Sequence, residues 1–182
     1  MSVEEKLSIK ITRLEKGDID EVDRVAQRAY GNHHWSKEAF YSELSNNLAK
    51  YFVVRNSDGV LMGFAGSWGI IDEAHITTIA VDEEFRRMHI GEALLVAILE
   101  ECYKEKFKYL TLEVRESNIP AIKLYEKYGF KSFGVRKGYY QDNNENALIM
   151  WTENIFWDKF KSVYQENISK LNMLVNIECQ NV

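Results

Sequence analysis

One proline, two cysteines and four histidines are all that 182 residues hold of the side chains that most often build rigid linkers, disulfide frameworks and metal sites. Cys102 and Cys179 stand too far apart for a metal-ligand or redox spacing, and Cys102 falls within an apolar helical pattern, so a reduced, packed thiol is expected there. The histidines form no convincing ligand set, and no bound metal is expected. No apolar run approaches the length of a membrane span, and the opening MSVEEKLSIK carries acidic residues where a signal peptide needs a basic and then an apolar stretch. A cytoplasmic protein with no membrane partner is therefore expected. Repeats, low-complexity tracts and Gly/Ser linkers are missing too. Positive charge is also in deficit, with 23 Lys and Arg against 28 Asp and Glu and a formal charge of −5. Nucleic-acid affinity rests on clustered basic residues, so that class of partner is disfavoured and a cationic one suits better. What remains, 46% hydrophobic and 28% charged, is the composition of one globular domain with a sizeable core.

The pattern of apolar residues predicts the order strand, two helices, three strands, helix, strand, helix, two strands. Residues 7–13 alternate as a strand, and Asp18 is placed to cap a helix with Ile19, Val22, Val25, Ala26 and Ala29 on one side. A second helix is expected after Ser36, carrying Ala39, Phe40, Leu44 and Leu48 and ending near Lys50. Strands are predicted at residues 51–55 and 60–68 around the turn-forming Asn56, Ser57, Asp58 and Gly59, and a third at residues 72–81. Residues 91–106 read as an amphipathic helix and 108–115 as a strand, on which Glu113 shares the less apolar face with Tyr109, Thr111 and Arg115. Ser117 or Asn118 can cap the next helix, with Pro120 in its first turn and Gly129 at its end. Two last strands are expected at residues 130–137 and 147–152, joined by a connection that is polar apart from Tyr139 and Tyr140. Such an order implies an α/β fold, a mixed central sheet with helices on both faces, and a right-handed crossover between residues 72 and 115. Ligands of such sheets bind at the carboxyl ends of strands, here near Val81 and Arg115.

The chemistry-bearing residues gather there. The segment VDEEFRRMHIGEALL, residues 81–95, joins a strand to a helix through Arg86 and Arg87, a turn that can aim backbone N–H groups, a helix dipole and two guanidinium groups at an anion such as a pyrophosphate. It resembles the acetyl-CoA loop of GNAT enzymes, Gln/Arg-x-x-Gly-x-Gly/Ala, with Arg86 and Gly91 at its ends. His89 stands where the first glycine is usual, which is acceptable if its backbone keeps a negative φ. LEVRESN at 112–118 followed by AIKLYEKYGF at 121–130 is similar to the signature of the ribosomal-protein-alanine N-acetyltransferases (RimI type) and related protein N-terminal acetyltransferases. GVRKGYY at 134–140 with ENALIM at 145–150, Asn146 replacing an aspartate, and His34-Trp35-Ser36 with Phe40, His34 replacing a proline, resemble the same family. The likeness covers residues 7–152, and residues 1–152 are taken as a GNAT acetyltransferase domain. Residues 153–182, with Ile155, Phe156, Phe160, Val163, Ile168, Leu171 and Leu174 in a partly helical pattern, form a C-terminal extension expected to be helical and to pack on the domain or on a partner.

The resemblance implies an acetyl-CoA-dependent N-acetyltransferase. Acyl transfer to an amine needs a held thioester, a neutral amine and a proton for the departing thiolate. Glu113, on its open strand face, is the candidate base acting through water, the role the resemblance also implies, and Tyr125 the implied acid. A protein α-amine has a pKa near ~7.8, so roughly a seventh is neutral at pH 7, against well under ~0.1% of a lysine amine. A single carboxylate can therefore suffice. The resemblance further implies backbone contacts to the coenzyme at Ile79 and Val81, a phosphate loop including Arg86, Arg87, His89, Ile90, Gly91, Glu92 and Ala93, and Asn118 near the cofactor. His75, expected to share a sheet face with Thr77 and Ile79 and to approach Glu113, is either a second proton handler or a structural histidine. Trp35, Tyr139 and Tyr140 either wall the acceptor site or serve as packing. Three functions stay open: acetylation of a protein N-terminus, for which the resemblance implies a small-subunit ribosomal protein; acetylation of a small amine or lysine; and a non-catalytic acetyl-CoA-binding module. The presence of both Glu113 and Tyr125 argues against the last.

Overall fold

The computed structural model describes residues 6–180, and among them runs one eight-stranded sheet in the order β6-β7-β5-β4-β3-β2-β1-β8. The strands are β1 (Leu7–Arg13), β2 (Ala49–Asn56), β3 (Leu61–Ile70), β4 (Glu73–Val81), β5 (Tyr109–Arg115), β6 (Phe130–Tyr140), β7 (Glu145–Thr152) and β8 (Val175–Gln180). The helices are α1 (Ile19–Tyr30), α2 (Lys37–Leu44), α3 (Ile90–Glu105), α4 (Ile119–Lys127) and α5 (Asp158–Leu174). The β4–β5 and β1–β8 pairs are parallel and the other neighbours antiparallel. Two cores flank the sheet. Ile19, Val22, Val25 and Ala26 of α1 and Phe40 of α2 pack on one face with Val53, Leu61 and Phe64. On the other face α3, α4 and α5 share a larger core with Ile76, Leu110, Leu112 and Met150.

Several local expectations are corrected. Asp18 occupies the N-cap position of α1 without capping it: its carboxylate accepts from the Glu15 N–H at 2.8 Å and from Arg55 at 2.8 Å. Ser36 does cap α2, its Oγ accepting from the Ala39 N–H at 3.3 Å, and Asn118 caps α4 in the same way. The second helix stops at Leu44, not near Lys50, because Leu44 and Leu48 are exposed and no burial rewards another turn; β2 starts at Ala49 instead. The first of the last two strands runs on to Tyr140, so both tyrosines lie on β6, whose pairing with β7 is irregular between Arg136 and Tyr140, where Gly138 takes φ 59°. The C-terminal extension carries a strand as well as a helix. Burial of Phe160, Tyr164 and Leu171 docks α5 on the larger core, and β8 then extends the sheet beside β1, mostly exposed along its length. Asn167 of α5 donates to the Lys127 carbonyl at 2.8 Å, satisfying an end of α4.

Candidate active site

The parallel pair β4–β5 is paired only from Glu73 and Tyr109 to Ile76 and Leu112. The cause lies one strand away. Gly66 of β3 faces Thr78 and Ser67 faces Ile76, so Thr77 is an extra residue, a β-bulge that bends β4 away from β5. Gly66 permits it: a Cβ there would come within 2.2 Å of the Tyr51 ring, and that tyrosine's hydroxyl meets Thr77 Oγ1 at 3.1 Å. The bulge also resets the alternation of side chains. His75 and Thr77 face the α1 side, but Ile79 packs against the α3 core, so the expected common face of His75 and Ile79 is not found.

Past the last rung stands Glu113, its side chain 8% exposed. Its Oε2 lies 2.6 Å from His75 Nε2, and its Oε1 forms an ion pair with Arg136 at 3.2 Å. Leu112 and Val114 belong to the α3 core, so Glu113 opens to the opposite face. Tyr125 approaches from the α3 side: it belongs to that core, and its ring lies 5.6 Å from Phe130. Burial pushes its hydroxyl pKa up, reinforced by the neighbouring hydroxyls of Tyr30 and Tyr140. The shift keeps the hydroxyl protonated, the form in which a general acid must enter the reaction. Tyr30, at the end of α1, is 40% exposed, yet its hydroxyl reaches into the opening between the strands, 2.8 Å from Thr78 Oγ1 and donating to the Ile79 carbonyl at 2.9 Å. Tyr140 lies under the Arg115 guanidinium at 3.8 Å, and burial pushes its pKa up to about 12 against the opposing pull of Arg115.

The loop between β4 and α3 is anchored from α1: Arg28 bonds the buried Asp82 at 3.0 Å and Glu84 at 2.8 Å. Beyond that anchor Arg86 and Arg87 are exposed and form no ion pair among the described residues. The first helical hydrogen bond of α3 runs from the Ala93 N–H to the His89 carbonyl at 2.9 Å, leaving the N–H groups of Ile90, Gly91 and Glu92 at a positive helix end. Ile90 and Ala93 turn their side chains into the core, so they offer only backbone. A methyl group at Gly91 would meet Val81 at 3.6 Å and Leu124 at 4.0 Å, ordinary contacts that strike nothing. Two free cations, an open helix start and a strand edge released from pairing fit an elongated anion with a phosphate end. The condition of a negative φ at His89 is not met: the residue is left-handed, φ 61°, and Arg87 is too, φ 65°. The loop keeps the shape a glycine would give it, at the cost of strain. His89 Nδ1 lies 3.1 Å from Glu92 Oε2, a contact that helps hold it there.

The remaining residues are spread more widely. Asn118 uses its side-chain oxygen on the Ala121 N–H, and Trp35, half-buried, packs on Phe40 and Tyr51 at 5.9 and 6.4 Å. Tyr139 is 44% exposed and stands edge-on to Tyr140. Sequence reasoning missed Arg28, Tyr30 and Arg136, which become neighbours of the site only through tertiary packing. An acidic residue ending one strand and an arginine on a helix face 54 positions earlier carry no mutual signal in the chain.

Comparison with known proteins gives this geometry its context. A model of the Acetyltransferase (GNAT) family matches residues 19–130. A Bacillus subtilis (strain 168) protein provisionally named a ribosomal protein bS18-alanine N-acetyltransferase is 42% identical over 146 residues, 80% of this chain and 95% of its own. The crystal structure of the ribosomal-protein-S18-alanine N-acetyltransferase from Escherichia coli superposes with a TM-score of 0.73 at 34% identity, covering 80% of this chain and 94% of that one. Ard1 from Thermoplasma volcanium gives 0.73 at 32% identity, covering 80% and 97%.

Proposed function

As a member of the GNAT acetyltransferase family this chain is an acetyl-CoA-dependent N-acetyltransferase, and we propose that its acceptor is the N-terminal α-amine of a protein, a small-subunit ribosomal protein in particular. The observation that carries the reading is the placing of Glu113 and Tyr125 on opposite sheet faces beside the opening between β4 and β5. Base and acid can then serve two reactants that meet through the sheet, the amine from the Glu113 face and the thioester from the α3 face.

Acetyl-CoA supplies the acetyl thioester. Arg86, Arg87 and the first N–H groups of α3 would hold its phosphates, and the released backbone at Ile79 and Val81 would align its arm. Glu113, ion-paired with Arg136 and held by His75, takes a proton from the acceptor amine through water. Tyr125 returns one to the sulfur. The acceptor enters between the α1–α2 connection, with Trp35, and the β6–β7 hairpin, with Tyr139 and Tyr140. An acidic chain of formal charge −5 suits a basic protein acceptor, and a cytoplasmic site of action follows from this choice of substrate.

The decisive experiment is turnover with acetyl-CoA against matched N-terminal peptides, lysine peptides with blocked N-termini, and small amines. A clear preference in kcat/KM for free N-terminal peptides supports the reading. Equal or better use of a small amine or of lysine rejects the acceptor, and absence of turnover with every amine rejects Glu113 and Tyr125 as a working pair.

A further inference from the structure

Glu92 stands in the first turn of α3, where an anion would bind, yet its carboxylate is engaged elsewhere. It is 6% exposed, and its oxygens are taken by protein donors: Oε1 by Lys127 Nζ and, at 2.8 Å, by the Tyr128 hydroxyl, Oε2 by His89 Nδ1 at 3.1 Å. As the carboxylate only accepts, the imidazole Nδ1 carries the proton in this bond. Burial alone would raise the Glu92 carboxyl, but Lys127, Tyr128 and His89 together hold it below the usual carboxylate range. A negative charge so enclosed cannot serve a pyrophosphate, which it would repel.

Its partners come from two elements that share no other side-chain hydrogen bond or ion pair among the described residues. His89 closes the donor loop at the start of α3, whereas Lys127 and Tyr128 follow Tyr125 by two and three residues at the end of α4. A buried ion pair is a poor way to gain stability, because apolar side chains of the same volume do as well or better, but its geometry is specific. Here that geometry links the loop that anchors one end of the coenzyme to the helix that carries the acid for the other.

We propose that Glu92 is a positioning residue that fixes the donor loop relative to α4, so that a coenzyme held by its phosphates presents its sulfur to Tyr125. Its side chain acts through His89, Lys127 and Tyr128 and touches no reactant. The idea rests on Tyr125 being the acid, and the experiment separates the two claims.

Steady-state kinetics and acetyl-CoA affinity are measured for Glu92→Gln, Tyr125→Phe and the double variant, with thermal unfolding as the check on folding. Glu92→Gln keeps the volume but loses the charge and one acceptor. The expected result is a fall in kcat of about tenfold or more, as small misplacements of reacting groups produce, with the KM for the acceptor unchanged. Glu92→Gln should then add little to the loss already caused by Tyr125→Phe. Wild-type kcat in folded Glu92→Gln, or losses that multiply fully in the double variant, overturns the proposal while leaving Tyr125 as the acid. Wild-type kcat in Tyr125→Phe removes the acid and the proposal with it. Should Glu92→Gln not fold, Lys127→Met, changed at a side chain 35% exposed, carries the same comparison with the same expected and overturning results.

Discussion

His75 and Glu113 meet where β4 and β5 part, Nε2 of one 2.6 Å from Oε2 of the other. The ladder places His75 opposite Thr111, and Glu113 lies two residues further along the same face, the first position past the last rung, Ile76 with Leu112. The carboxylate is thereby held from two sides, Oε2 by His75 and Oε1 by Arg136.

If Glu113 is the base and Tyr125 the acid, Glu113→Gln and Tyr125→Phe should each lower kcat by ~10² to ~10⁴ and leave the calorimetric affinity for acetyl-CoA nearly unchanged. In Glu113→Gln the rate should climb with pH along the ionisation of the acceptor amine, near ~7.8 for an α-amine, because only amine already neutral can react. A pH profile identical to that of the wild type would assign the base elsewhere.

The left-handed backbone at His89 gives a stability test. A residue with a Cβ costs roughly 1–2 kcal/mol in that conformation and glycine costs far less. His89→Gly should therefore be more stable than His89→Ala by about 1 kcal/mol, read from chemical denaturation. Equal stabilities would mean that the loop relaxes out of the αL region.

Arg86 and Arg87 are exposed and form no ion pair among the described residues, so replacing both with alanine should leave the melting temperature alone. The affinity for coenzyme A should fall at least about tenfold, since each charge-assisted bond to phosphate contributes roughly 1.5–3 kcal/mol. An unchanged calorimetric isotherm would show that the phosphates bind elsewhere.

Glu145 provides a pH test outside catalysis. It accepts from the Ser117 N–H at 2.9 Å and pairs with Arg115 at 3.1 Å, and with the Ser117 bonds as the main cause its pKa falls from the ordinary 4.5 to about 2. A depressed carboxylate stabilises the fold above its unfolded pKa and loses that contribution as pH falls through the folded one. The stability gap between wild type and Glu145→Gln should thus be constant above 4.5 and shrink toward pH 2, as followed by denaturant titrations at stepped pH. A gap that does not narrow contradicts the assignment.

How much of this was written in the chain differs from element to element. Helix α1 was legible because Ile19, Val22, Val25 and Ala26 repeat at the spacing of the face they bury. Strand β5 was legible because Leu110, Leu112 and Val114 alternate with Thr111 and Glu113. The spacing of Leu44 and Leu48 looked the same and buried nothing, since a pattern records that residues could share a face and not that a partner covers it. Strand β8 was invisible for the converse reason: it joins the sheet by backbone pairing with β1, and the residues after Val175 are mostly exposed.

The same division runs through the site. Local sequence determined that Glu113 faces away from the core, that α3 starts after two arginines and that α4 begins at a cap supplied by Ser117 or Asn118, because alternation, charge and capping act over a few residues. Only the tertiary structure decided that β4 carries an extra residue at Thr77, that His75 therefore parts company with Ile79, and that His89 lies left-handed against Glu92. Those outcomes depend on the Tyr51 ring over Gly66 and on Lys127 and Tyr128 beside Glu92, contacts between residues far apart in sequence that exist only once the sheet and its helices have packed.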